Sequence, residues 1–194
     1  MAYKQHFIEW FSGKQIPSYW DVSSGTNSTV AMTDEVDGGI KLTKSTTNGA
    51  WATLSFSNYK RPFSNTGCVM HQVFKASTTS GTSCNTGLSD SKGSQTNCML
   101  VYHSDSIESG YYTLTTAGNA AVSHTATTKA IDTNWHHHKL EQKSASAEYS
   151  IEGVLSATRS SNLSQSKMMP HMEAYEPTTN TFSYQFRFVE IYNT

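Results

Sequence analysis

The sequence predicts an all-β fold, an antiparallel sandwich of two sheets, on three observations. Apolar and polar residues alternate with a period of two in several short runs. Turn residues punctuate the chain at near-regular intervals: Gly38-Gly39, Asn48-Gly49, Thr66-Gly67, Ser109-Gly110 and Gly118-Asn119. No long 3.6-residue periodicity with caps at both ends occurs. Roughly a dozen short strands fit a sandwich or barrel of this length.

Taken in order, Phe7-Ile8-Glu9-Trp10-Phe11 opens the chain as an aromatic strand, and Trp20 follows. Asp37-Gly38-Gly39 turns into the strand Ile40-Lys41-Leu42. Ala52, Leu54 and Phe56 alternate with polar residues. Val69, His71 and Val73 alternate with Met70, Gln72 and Phe74, which predicts a strand with unlike faces. Residues 75–97 and 156–167 are rich in hydroxyls and read as loop-bearing stretches, too short to separate domains. Ile151-Glu152-Gly153-Val154 reads as a tight hairpin in which Gly153 supplies a positive φ. Phe182, Tyr184, Phe186 and Phe188 alternate with polar residues in a closing strand. The expectation is one domain over residues 1–194, with terminal strands side by side.

Composition narrows the function. The chain has 14 Lys and Arg against 15 Asp and Glu, a balance that argues against nucleic acid as a partner. Ser and Thr make up about a quarter of the residues, so the surface is neutral and hydroxyl-rich. Such a surface suits sugars or further copies of the chain, that is, a homo-oligomer. No run approaches the ~18 apolar residues of a membrane span. Residues 1–11 lack a basic start followed by an apolar run and do not read as a secretory signal. An outside location would then be reached by another route, such as assembly into a virus particle.

Cys68, Cys84 and Cys98 form no C-x-x-C pair, which leaves zinc-ribbon and thioredoxin-like readings without support. Cys84 and Cys98 flank a turn-rich stretch and are the candidate disulfide. Three reduced, buried thiols are the alternative, and the one favoured.

The last third carries the most specific pattern. It runs Thr133-Asn134-Trp135-His136, a strand to Lys143, Tyr149-Ser150-Ile151-Glu152-Gly153-Val154-Leu155, Met168-Met169-Pro170 and Val189-Glu190-Ile191-Tyr192-Asn193. This resembles the concanavalin A-like lectin/glucanase superfamily, particularly its laminin-G-like members. There a Trp-His strand is followed by a strand, a tight Ile-Asp-Gly hairpin and a closing strand that returns beside the first. Glu152 stands where Asp is commoner. The N-terminal order of Phe7–Phe11, Trp20 and Asp37–Leu42 looks like jelly-roll domains of phage virion proteins. The resemblance implies a concanavalin A-like jelly-roll β-sandwich and a non-catalytic module that binds glycans or decorates a particle. Its location would be a virion or extracellular surface, and its partners glycans or capsid proteins.

Candidate sites follow from residue types. Sugars stack on exposed aromatics, so Trp51, Tyr59, Tyr102, Tyr111, Tyr112 and Tyr175 are the candidate ligand-binding residues. Tyr111 and Tyr112 are adjacent, so one of them must point away from the core. Glucan-cleaving relatives of the resembled family carry acidic residues at alternate positions on one strand. Glu35 and Asp37 have that spacing but run into Gly38-Gly39, which makes them a turn. Glu173 and Glu176 are three apart with Pro177 following, which breaks the alternation. A lyase would draw on Tyr184, Gln185, Arg187 and His71, although Tyr184 and Gln185 face opposite sides. No catalytic residue is therefore assigned, and the expectation is that the chain is not an enzyme. A polysaccharide hydrolase or lyase is the alternative, and a purely structural subunit the third reading. His136 and His138 share a strand face but lack the spacing of a metal set, so no metal ligand is assigned. Of the oxygen-rich loops, Asp34 to Asp37 has the most carboxylates and is the candidate for weakly bound calcium.

Overall fold

The computed structural model describes residues 5–56, 62–79, 81–90, 97–104, 110–117, 123–175 and 179–194. Within them the strands are β1 His6–Trp10, β2 Trp20–Ser24, β3 Thr29–Met32, β4 Ile40–Lys44 and β5 Trp51–Phe56. Next come β6 Cys68–Ala76, β7 Ser83–Ser89, β8 Cys98–Ser104, β9 Gly110–Thr116 and β10 Ser123–Ala130. The last third holds β11 His136–Gln142, β12 Ala147–Ile151, β13 Val154–Arg159, β14 Met169–Tyr175 and β15 Phe182–Asn193. The described residues contain no helix. In particular, none of them forms a helix long and apolar enough to cross a membrane.

The strands form two antiparallel sheets. The first runs β13-β12-β11-β6-β15-β4-β3, with β1 also on β15, and the second runs β10-β9-β8-β7-β14-β5-β2. This is the all-β, concanavalin A-like jelly-roll sandwich that the sequence predicts. Strand β15 ties the first sheet together. Along one edge its first half pairs with β4 and its second half with β1, and its other edge runs along β6. The first and last strands therefore lie side by side.

Period two decides which residues meet in the middle. From the first sheet come Ile40, Leu42, Met70, Phe74, Leu140, Tyr184, Phe186 and Ile191. From the second come Ala52, Leu54, Leu88, Val101, Met172 and Ala174. One polar pair joins the sheets through this core: Thr86 Oγ1 donates to Gln72 Oε1 at 2.6 Å. Both residues are fully buried, so the pair satisfies groups that would otherwise be stranded away from water. At the β12–β13 turn both central residues have positive φ, Glu152 at 52° and Gly153 at 77°, as a two-residue hairpin requires. Glu152 has its own use there: its carboxylate accepts the His137 N–H at 3.0 Å and lies 3.1 Å from His136 Nδ1.

The candidate disulfide does not form, and the favoured reading of three reduced, buried thiols is the one observed. All three cysteines are free and buried. In the β7–β8 hairpin Cys84 opposes His103 and Cys98 opposes Ser89, so the two thiols sit at opposite ends of the ladder. They also point to opposite faces: Cys84 belongs to the main core and Cys98 packs with Leu100 on the outer side. Burial pushes the Cys68 thiol up to about 12.

His136 and His138 do share a face, and it is the core face. His138 is fully buried, stacks on Phe74 at 4.1 Å between centroids, and accepts the Tyr149 hydroxyl on Nδ1 at 2.5 Å. Burial, followed by the nearby His136 and His137, holds its pKa well below the ordinary imidazole value. The unfolded chain therefore takes up a proton near pH 6.5 that the folded chain refuses. Stability is full above that pH and falls as pH drops below it, by up to about 1.4 kcal/mol per pH unit for this one group. We expect His138→Phe to make the stability–pH slope between pH 6.5 and 5 shallower by one proton, as read by urea denaturation across that range. An unchanged slope would show that His138 does not carry the effect.

Candidate active site

Strand β14 reads Met169-Pro170-His171-Met172-Glu173-Ala174-Tyr175. Met172 and Ala174 enter the core, so His171, Glu173 and Tyr175 share the outer face of the second sheet. Pro170 is tolerated because pairing with β5 begins only at His171. Register then assembles the face. Glu173 lies opposite Asn85 of β7 and Thr53 of β5, and Asn85 lies opposite Tyr102 of β8. One row along, His171 lies between Ser55 and Gly87, with Asp21 beyond Ser55 on β2. One row the other way, Tyr175 lies opposite Trp51.

The floor of this face is desolvated. Thr53, Ser55, Asn85, Ser89, Cys98, Leu100 and His171 are all buried, although none of them points into the core between the sheets. Gly87 is required there: its φ is 152°, and a Cβ on it would come 2.4 Å from the Met99 carbonyl oxygen. Within this floor Glu173 keeps 19% of its side chain exposed.

Glu173 is held by three neighbours. Asn85 Nδ2 donates to Oε2 at 3.1 Å, Thr53 Oγ1 reaches Oε1 at 3.5 Å, and His171 Nε2 lies 3.7 Å from Oε2. Burial by itself raises the carboxyl pKa, but the imidazole, Asn85 and Thr53 together outweigh it and leave the group below its ordinary value. Glu173 is thus an ionised carboxylate in a dry setting, able to accept a proton or attack an electrophilic carbon. Three further polar atoms of this floor, Ser55 Oγ, Asn85 Oδ1 and His171 Nδ1, are buried with no protein hydrogen bond. Such atoms call for water or ligand.

The aromatic candidates divide. Trp51 and Tyr175 stand together on the outer face and are exposed. Tyr102 is half-buried on the same face, packed against Cys98 and Leu100. Tyr111 is corrected: it is wholly buried in the core beside Phe74 and His138. The Tyr112 backbone pairs with Tyr102 and Ala126, its side chain lies outside the described residues, and Tyr59 lies wholly outside them.

The acidic and lyase candidates do not assemble. Glu35 and Asp37 occupy a turn on the far side of the molecule, where Arg187 pairs with both and Lys75 with Glu35. Two of the three carboxylates of the calcium candidate, Glu35 and Asp37, are thereby paired with cations. Arg187 and Lys75 also cover Trp135, at 4.0 and 4.6 Å from its ring centre. Tyr184 is fully buried in the core, while His71 lies on the outer face of the first sheet, 2.9 Å from His137. Among the described residues no group of three or more His, Cys, Asp or Glu could hold a metal ion. A separate recess of about 490 Å³ lies at one end of the sandwich. Two of its amides are engaged within the protein, Gln142 with Ser164 in both directions and Asn65 with the Ser164 carbonyl.

Sequence reasoning missed the centre of this site. Glu173 was visible, but measured against Glu176. The alternation that matters is His171, Glu173, Tyr175 against Met172 and Ala174, a complete period-two pattern between Pro170 and Pro177.

No family model matches the sequence, and no curated protein matches it. Solved structures match it almost end to end. An endo-acting O-glycanase with which human gut microbes initiate mucin breakdown has a TM-score of 0.71 at 10% identity, covering 97% of this chain and 98% of the other. The Bacillus licheniformis β-glucanase has a TM-score of 0.69 at 10% identity, with coverages of 97% and 98%. A Bacteroides ovatus mixed-linkage glucan GH16 protein in complex with a product has a TM-score of 0.69 at 12% identity, with coverages of 95% and 99%. The chain has the concanavalin A-like jelly-roll fold of these glycosidases. They overturn two expectations, that of a non-catalytic virion module and that of no enzyme, because structures matched end to end include glycan-cleaving enzymes. The resemblance to phage virion domains gains no support from them.

One prediction follows from the carboxylate's surroundings. Asn85→Leu removes a donor to Glu173, so the carboxyl should titrate at higher pH than in the wild type. Carbon-detected NMR of the Glu173 carboxyl reads this directly, and an unmoved midpoint would show that Asn85 does not hold the charge.

Proposed function

We propose that the protein is a glycan-cleaving enzyme whose active site is the outer face of the second sheet. The observation that carries this reading is Glu173: ionised, enclosed by Asn85, Thr53 and His171, partly open to solvent, and one row from the exposed Trp51 and Tyr175. Glycoside cleavage passes through an oxocarbenium-like transition state, and a carboxylate in a desolvated recess is suited to stabilising that charge. Glu173 attacks the anomeric carbon or takes a proton from the attacking water, while His171, beside it, gives a proton to the leaving glycosidic oxygen as the bond to the anomeric carbon breaks.

The arrangement departs from a close pair of carboxylates. Among the described residues of this face the other carboxylate is Asp21, on β2, two strands away from β14, which is about 10 Å across a sheet. That exceeds the separation of about 5 Å in retaining enzymes. The group next to Glu173 is an imidazole, so the proton-carrying role falls to His171.

Glu173→Gln keeps size and hydrogen-bonding capacity while removing the charge. On a panel of polysaccharides, assayed for new reducing ends and for unsaturated products, the wild type should cleave at least one. The variant should lose at least about 100-fold of that rate with its melting temperature retained. A variant as active as the wild type, or a wild type that cleaves none of the panel, would contradict the reading.

A further inference from the structure

Trp51 and Tyr175 lie directly opposite each other on β5 and β14. They are 40% and 37% exposed on a face whose floor is otherwise buried. Trp51 is also fixed from behind. The Gly25 N–H donates to the Trp51 carbonyl at 2.8 Å, and a Cβ on Gly25 would come 2.9 Å from Cε3 of the indole. Backbone without a side chain therefore packs against the six-membered ring of the indole. An aromatic ring braced on one side and open on the other is a platform for the C–H face of a pyranose. Its bracing costs the ligand no ordering of the ring on binding.

Position and charge define the ligand further. Trp51 and Tyr175 are two residues along their strands from Thr53 and Glu173, a step of about 6.8 Å. A ring stacked on them sits beside the Glu173 carboxylate. Among the described strand residues of this face there are acidic side chains, Asp21 and Glu173, and no Lys or Arg. A uronate or sulfated chain would bring its anionic groups up to these two carboxylates, with no Lys or Arg among the described strand residues to offset them.

We infer that Trp51 and Tyr175 form a stacking subsite for an uncharged sugar ring, adjacent to Glu173. The inference rests on the reading of this face as the glycan site, and it adds the place and the class of one bound sugar.

The test uses the Glu173→Gln chain, which holds substrate without turning it over. It is run by affinity electrophoresis through mixed-linkage β-glucan, xylan, galactan and mannan, and through alginate and polygalacturonate. Retardation by at least one neutral polymer and by neither polyuronate is expected. Adding Trp51→Ala or Tyr175→Ala should weaken that binding at least tenfold. Trp51→Phe, which keeps a ring, should weaken it less. Gly25→Ala should weaken it by an intermediate factor through displacement of the indole. Circular dichroism confirms that each variant is folded. Binding within twofold of the parent in both alanine variants overturns the subsite, equal retardation by a polyuronate overturns the uncharged class, and no retardation by any neutral polymer overturns both. The catalytic reading fails separately: undiminished cleavage by Glu173→Gln removes Glu173 from the chemistry and leaves the stacking result where it stands.

Discussion

The β7–β14–β5 ladder is the constraint on which the site depends. Its register puts Glu173 between Asn85 and Thr53, and no other pairing would do so. A slip of one residue would send the carboxylate into the core and Met172 or Ala174 to the outer face. Burial of apolar residues on one side of β14 therefore dictates what stands on the other. The ladder is itself anchored: Thr86, next to Asn85, reaches through the core to Gln72 of the first sheet. The chemistry of the outer face is thus set by the packing of the inner one.

Electrostatics makes the same point at two places. His138 and Glu173 are both enclosed, and both are deprotonated, yet one is neutral and the other charged. His138 has a neutral donor, Tyr149, and aromatic neighbours, so desolvation keeps it uncharged. Glu173 has an imidazole and an amide N–H within reach, and together these hold it ionised against the same desolvation. The first group is a structural histidine that makes the fold sensitive to acid. The second has the charge, the exposure and the neighbours of a reactive group.

Much of the fold was legible in the sequence, because sheet-forming alternation is local. The strands at Trp51–Phe56, Cys68–Ala76 and Phe182–Asn193, the Glu152-Gly153 turn and the side-by-side terminal strands all follow from spacing and turn chemistry. The site was less legible, since it is built by register among β2, β5, β7, β8 and β14, which no single stretch displays. Trp51 and Tyr175 could be named as exposed aromatics, yet their pairing is a long-range fact. Tyr111 was misplaced, and the Cys84–Cys98 pairing was left open beside the favoured free thiols, for the same reason: which face a residue takes, and what it opposes, are fixed by partners far away in the chain. Glu173 was hidden by Pro170 within β14 and Pro177 just after it in the sequence, which disguise a central strand as a loop.

The central claim is that glycan binds on the outer face of the second sheet, beside Glu173. The most direct measurement is a crystal structure of the Glu173→Gln chain soaked with neutral oligosaccharides from a partial β-glucan, xylan, galactan and mannan digest. The account predicts a sugar ring over residues 51 and 175, with a glycosidic oxygen within reach of residue 173 and His171. Sugar bound instead in the recess lined by Asn65, Gln142 and Ser164, or on the outer face of the first sheet near Trp10 and Phe188, would contradict it.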